Sequence, residues 1–225
     1  APPGNSMDLA SFLTGLSIAA IPVLFAITLH EVAHGWVARS FGDRTAEAQG
    51  RLSLNPIRHI DPVGTVLVPA ILFWLGGFLF GWARPVPVNP RFMRDPRRNM
   101  VWVSAAGPAA NLAMAVVWAF LMMVSQRVDL GVTGQWIGFM ADWGIQINLM
   151  LAVFNMLPIP PLDGGQFLEN LLPPGPLVSM LAAIRPYGFF IVLGLIATHS
   201  LSAILSGPIA FLQRLLIATF GLQPT

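Results

Sequence analysis

The segment ITLHEVAHGW, residues 27–36, closes a stretch otherwise built of Leu, Phe, Ile, Ala, Val and Pro. Two histidines and a glutamate are expensive to bury there unless something compensates them. Their order, His30-Glu31-x-x-His34, is the spacing H-E-x-x-H. On a helix, residues i and i+4 project from one face, so both imidazoles can bind one Zn²⁺ while Glu31 sits beside the remaining coordination position. The bland alternative is a polar helix face whose histidines are satisfied by carbonyls or serve a proton path.

Two histidines are an incomplete catalytic zinc site, which takes a third protein ligand and a water. The chain has no cysteine, so the third ligand is a His, Asp or Glu, with His59, His199, Asp129, Asp142, Asp163 and Glu169 as candidates. Asp163 stands out among them. It follows FNMLPIPP, where Pro158, Pro160 and Pro161 must break a helix, and it precedes Gly164-Gly165, which free the backbone. A broken helix can aim a carboxylate sideways into a membrane cavity. The competing reading makes Asp163 the N-cap of a following helix.

The elements that must position these groups are membrane segments. Of 225 residues 55% are hydrophobic and only 10% charged, with mean hydropathy +0.70, against about a quarter charged in soluble domains. We expect an all-α polytopic membrane protein with five to six membrane helices or segments. The opening APPGNS, residues 1–6, reads as a cloning remnant, and residues 7–225 as one domain. Apolar segments run from Leu9 to about Arg39, Val63 to Ala83, Met100 to Ser125, Trp136 to Leu157 and Pro186 to Leu205. A last helix, about Pro208 to Phe220, is short for a span. All twelve cationic side chains are Arg, and nine lie in the loops 39–58 and 84–98 that flank the second segment. The positive-inside rule puts both loops in the cytoplasm. Val63–Ala83 is then a broken or re-entrant hairpin, tolerated where protein covers it.

HEVAHGW, AGPAANL (106–112), FNMLPIPPLDGG (154–165) and RPVPVNP (84–90) together resemble the site-2 protease family of intramembrane zinc metalloproteases, in its short bacterial or archaeal form. The likeness covers residues 24 to about 170, with C-terminal helices over 177–225. It implies that His30, His34 and Asp163 bind one Zn²⁺ per chain and that Glu31 is the catalytic acid/base. It also implies a short membrane-associated β-loop at RPVPVNP. For one metal to meet His30, His34 and Asp163, the first and fourth spans must run in the same direction. The third span supplies the one net crossing between them, and Val63–Ala83 supplies none.

The expected reaction is hydrolysis of a peptide bond within or near a transmembrane segment of another membrane protein. It would serve regulated proteolysis or clearance of signal-peptide remnants at the bacterial inner membrane, with the metal toward the cytoplasmic half. Asn155 is the candidate oxyanion donor, taken to share an element with Asp163; Asn111 and Asn148 are weaker candidates. Pro85, Val86, Pro87, Val88 and Asn89 are candidate substrate contacts, an extended edge that an unwound substrate could pair with. His59 reads as a loop residue behind an Asp61-Pro62 cap, and His199 as interfacial. One rival reading is a metal or proton transporter using the same cluster. Another is a prenyl-peptide type metalloprotease with Glu169 as third ligand.

Overall fold

A computed structural model describes residues 9–68, 71 and 84–223, the side chains of 9–16 and 65–66 aside. The expected remnant at 1–6 and most of Val63–Ala83 therefore lie outside the described residues. The helices are α1 (Leu9–Ser40), α2 (Thr45–Ala48), α3 (Pro96–Arg127), α4 (Gly131–Asn155), α5 (Asp163–Leu171), α6 (Pro176–Ile184), α7 (Gly188–Ala197) and α8 (Ser200–Phe220). Among the described residues, five stretches are long and apolar enough to cross a membrane: Ser17–Ser40, Pro96–Arg127, Gly131–Asn155, Pro176–Ala197 and Ser200–Phe220.

Local chemistry sets where these helices stop and start. After Ser40, Gly42 adopts φ +107 and its N–H returns to the Arg39 carbonyl at 3.0 Å, which ends α1. Asp95 caps α3 by accepting from Arg98 N–H at 3.2 Å, with Pro96 at the first helical position, where its missing N–H costs nothing. Asn155 closes α4 because Pro158, Pro160 and Pro161 cannot continue it. The chain then folds back tightly against α5. Side chains at Gly164 and Gly165 would collide with the backbone of Met156 and Pro160, so both positions require glycine.

Three long helices form the frame of the site. Along α1 the Ala26 carbonyl meets Asn111 of α3, and His34 meets Val103, so eight residues forward on α1 are eight residues backward on α3. Along α4, Gly144 lies against Trp118 and Asn148 bonds Asn111. Thus α3 is antiparallel to both neighbours, and α1 and α4 run in the same direction. The chain from Ser40 to Pro96 starts and finishes at one end of the frame, as expected for a segment without a net crossing. Its described flanks agree: Arg84 N–H bonds the His59 carbonyl at 2.9 Å, so the chain leaves residues 60–83 where it entered them.

A core of Ala115, Ala119, Met122, Ala141, Ile145 and Leu149 joins α3 to α4, and Leu216 of α8 packs against it. Small residues permit that close approach. The C-terminal end of α8 is fastened by Arg127, which donates to the Phe220 carbonyl at 2.8 Å.

Two expectations need correction here. The fifth segment is Pro176–Ala197, not Pro186–Leu205, and the last helix is a full 21 residues from Ser200. The break falls at Thr198-His199, where His199 takes φ +56 and Thr198 Oγ1 closes on the Gly194 carbonyl at 2.8 Å. Pro208 sits inside α8 without ending it, which membrane helices tolerate. Second, residues 84–89 are extended but pair as a strand with nothing among the described residues. Pro85 and Pro87 have no N–H to give to a ladder, and the amides of Arg84, Val86 and Asn89 are bonded to His59, Glu31 and Asp43.

Candidate metal centre

His30 and His34 stand one turn apart on α1, and Asp163 opens α5. Their ligand atoms converge: Nε2 of His30 and Nε2 of His34 are 3.1 Å apart, and Asp163 Oδ2 lies 3.2 and 3.4 Å from them. Among the described residues they form the group of His, Asp or Glu able to hold a metal ion. Asp163 is the first residue of α5 and faces the histidines; the N-cap position is held by Leu162 and no side chain caps the helix, so the reading of Asp163 as an N-cap does not hold. Asn155, by contrast, does not share an element with it. It is the last residue of α4, separated from Asp163 by the proline-broken turn 156–162.

What orients the imidazoles is a layer the sequence reading did not assign. His34 Nδ1 lies 2.6 Å from the Val103 carbonyl. A carbonyl only accepts, so Nδ1 carries the hydrogen and a neutral ring presents a lone pair at Nε2. His30 Nδ1 is 2.6 Å from Asn111 Oδ1. The Asn111 amide donates to the Ala26 carbonyl at 3.2 Å and to Asn148 Oδ1 at 2.9 Å, and Asn148 donates to the Gly144 carbonyl at 2.8 Å. Asn111 and Asn148 are each 0% exposed. Asn111 spends both of its amide hydrogens and Asn148 one of its two, and neither residue is on the wall of the cavity beside the site, so they serve as positioning groups for His30 rather than in the oxyanion role expected for them.

With both rings neutral, as metal ligation requires, two imidazoles and a carboxylate aim lone pairs at one another. Asp163 Oδ2 is buried without a hydrogen-bond donor, a costly state that a cation relieves. The donor set suits zinc. Ligand distances of about 2.0–2.2 Å in a tetrahedral shell place donor atoms roughly 3.4 Å apart, close to the spacing seen. Gly107 of α3 faces the same spot, where an added Cβ would lie 2.6 Å from His30 Nε2 and closer still to His34 Nε2.

The site opens into a cavity of about 940 Å³ whose wall includes Glu31, Val86, Asn155 and Glu169. Glu31 Oε2 accepts from Val86 N–H at 2.8 Å. Asn155 Nδ2 donates to the Leu151 carbonyl at 3.0 Å, which uses one of its two hydrogens. The extended strap 84–89 presents Pro85, Val86 and Val88 to the cavity, while Pro87 and Asn89 lie off its wall. Extended chain alternates its faces, and Asn89 N–H is turned to Asp43 Oδ2 at 2.6 Å.

The other acidic and imidazole candidates are engaged elsewhere. His59, 2% exposed, bonds the Ser53 carbonyl at 2.8 Å. Asp129 holds Gly131 N–H at 3.0 Å, and Asp142 accepts from Gln146 at 2.7 Å. Glu169 pairs with Arg185, and His199 is exposed at the α7–α8 turn. Asp61 caps the turn after it as expected, accepting from Val63 N–H at 2.9 Å and Gly64 N–H at 2.7 Å. At the base of the strap, Arg51 is buried. Loss of solvent and then the neighbouring Arg84 charge lower its pKa, with Glu31 opposing, but a guanidinium stays charged.

The sequence model of peptidase family M50 matches residues 18–138 and 132–195. Relatives named "Putative zinc metalloprotease" include the following three. YwhC of Bacillus subtilis is 44% identical over 182 residues, covering 79% of each chain. Rip2 of Mycolicibacterium smegmatis is 34% identical over 179 residues, 80% of this chain and 66% of the relative. MJ0611 of Methanocaldococcus jannaschii is 32% identical over 155 residues, 68% and 69% of the two chains. No solved structure is matched.

Proposed function

The chain belongs to peptidase family M50, and from that premise we propose that it is an intramembrane zinc endopeptidase. Its substrate is a peptide bond within or near a transmembrane segment of another membrane protein. The coarser statement, an integral membrane metalloprotease, follows from the family together with the five apolar helices. The single observation that carries the finer one is the convergence of His30, His34 and Asp163 beside Glu31, on helices long enough to be spans, in one cavity.

In this reading His30 Nε2, His34 Nε2 and Asp163 Oδ2 hold the zinc. The metal, when bound, supplies Lewis acidity toward water and the peptide carbonyl. Glu31 takes the proton from the attacking water and returns it to the leaving amine nitrogen. Its Oε2 is anchored by Val86 N–H, so the other oxygen serves proton transfer. The second amide hydrogen of Asn155, on the cavity wall, is the donor for the developing oxyanion. Pro85, Val86 and Val88 line the path of an unwound substrate. Nine of twelve Arg residues in the loops 39–58 and 84–98 support a cytoplasmic placement of this end of the frame. In a bacterium that is the inner membrane.

The test is substrate trapping in cells. With Glu31→Gln an uncleaved membrane protein accumulates and co-purifies, and in wild-type cells the same protein appears as fragments cut within or near a span. Metal flux that survives Glu31→Gln, with no membrane protein changing length, would support the transporter instead.

A further inference from the structure

The Glu31 carboxylate is held from outside the helix frame, and its donor is specified by register. Val86 N–H reaches Glu31 Oε2 at 2.8 Å, and the residues on either side of it are Pro85 and Pro87. A slip of one residue in either direction would bring a ring nitrogen without hydrogen to the carboxylate. The strap must therefore be fixed to within one residue. The Val86 side chain contributes, being 7% exposed and seated where Gly35 leaves a notch in α1; a Cβ there would lie 2.8 Å from Val86 Cγ1.

Arg51 ties the strap down. One of its guanidinium nitrogens, Nη1, donates to the Arg58 carbonyl, and the other, Nη2, donates to the carbonyls of Arg84 at 2.7 Å and Pro85 at 3.4 Å. The chain entering residues 60–83 and the chain leaving them are thus joined by one planar fork, beside the Arg84–His59 backbone bond. Lysine, a point charge on a flexible stem, cannot span those carbonyls in the same way. The two peptide units immediately before Val86 are the ones held.

We propose that Arg51 is a positioning residue for the peptidase reaction: its clamp on Arg58, Arg84 and Pro85 sets the register that delivers Val86 N–H to Glu31. The inference rests on the endopeptidase reading above. Arg51 touches neither metal nor substrate and acts through the strap.

The experiment uses the full chain in lipid nanodiscs with a transmembrane substrate. Zinc per chain, kcat, KM and the exchange rate of the Val86 amide are measured for wild type, Arg51→Gln, Arg51→Lys, Val86→Pro, Val86→Ala and the Arg51→Gln/Val86→Pro double variant. Zinc content stays at the wild-type value. In Arg51→Gln and Val86→Pro, kcat falls by about 10- to 100-fold, part of what a positioned general base supplies, while KM changes little. Val86→Ala keeps the N–H and so loses less kcat than Val86→Pro, and Arg51→Lys recovers only part. The double variant is no slower than Val86→Pro, because both changes remove one contact. Val86 amide exchange accelerates in Arg51→Gln and Arg51→Lys. Unchanged kcat in Arg51→Gln, or losses that multiply in the double variant, would overturn the proposal. If Arg51→Gln fails to fold, equal kcat in Val86→Pro and Val86→Ala overturns it alone. A wild type that binds zinc yet cleaves nothing removes the endopeptidase reading, whereas the amide exchange still reports on the clamp.

Discussion

Gly107→Ala adds one methyl group where the metal centre has no space for it. The new Cβ would lie 2.6 Å from His30 Nε2, and ordinary contact begins near 3.4 Å, so that ring must retreat by about 0.8 Å. Metal–ligand distances hold to about ±0.2 Å, so the displacement is several times what coordination tolerates. Neither ring can swing away freely, since His30 Nδ1 is tied to Asn111 and His34 Nδ1 to the Val103 carbonyl. Alanine is also the better helix former, by up to about 1 kcal/mol, so the helix itself is not weakened. We expect zinc affinity to fall by about 10- to 100-fold, with cleavage falling in parallel and helical content unchanged. Zinc titration against a competing chelator, run beside circular dichroism, reads both. A Gly107→Ala protein that keeps wild-type zinc affinity and activity would refute the placement of Gly107 against the two histidines.

Three further outcomes follow from the same geometry. Asn111→Leu removes the acceptor for His30 Nδ1 and strands the Asn148 carbonyl oxygen, so zinc affinity drops by about 10- to 100-fold and thermal unfolding shows a loss of about 1–3 kcal/mol. Asp163→Ala loses stoichiometric zinc while Glu169→Ala keeps it, as metal analysis of the purified variants shows, because Glu169 is paired with Arg185 and lies outside the ligand group. Asn155→Ala keeps its zinc and lowers kcat by about 100-fold with KM little changed; an unchanged kcat would leave Asn155 only its bond to the Leu151 carbonyl.

The chemistry was most legible where it depends on local spacing. His30, Glu31 and His34 are marked by their helical spacing and Asp163 is singled out by the proline and glycine residues around it, while the roles of all four came from the resemblance to the site-2 protease family. Parallel α1 and α4 followed once those residues had to meet, and the tie between His59 and Arg84 fits the same constraint. The orienting layer was not legible. Asn111 lies 81 residues from His30, and the Val103 carbonyl 69 residues from His34, and no local pattern announces a pairing across such distances. Asn111 and Asn148 were visible as polar groups at membrane depth, but only the fold distinguishes a ring-orienting amide from an oxyanion donor. The C-terminal boundaries were misread for a different reason. Pro208 suggested a break that the helix absorbs, while the real break at Thr198-His199 contains no residue type that forces one. RPVPVNP reads as strand-like because prolines favour extended backbone, yet among the described residues it pairs in no ladder, and Pro85 and Pro87 have no N–H to give to one.

The central claim is that His30, His34 and Asp163 hold one zinc ion beside Glu31. Zinc K-edge absorption of the purified wild-type protein in lipid tests it directly. One zinc per chain is expected, with two imidazole nitrogens and carboxylate oxygen at about 2.0–2.2 Å, and the same spectrum for Glu31→Gln, which no longer cleaves. A zinc-free protein, a spectrum with one imidazole or none, or a Glu31→Gln protein that cleaves at the wild-type rate would contradict it.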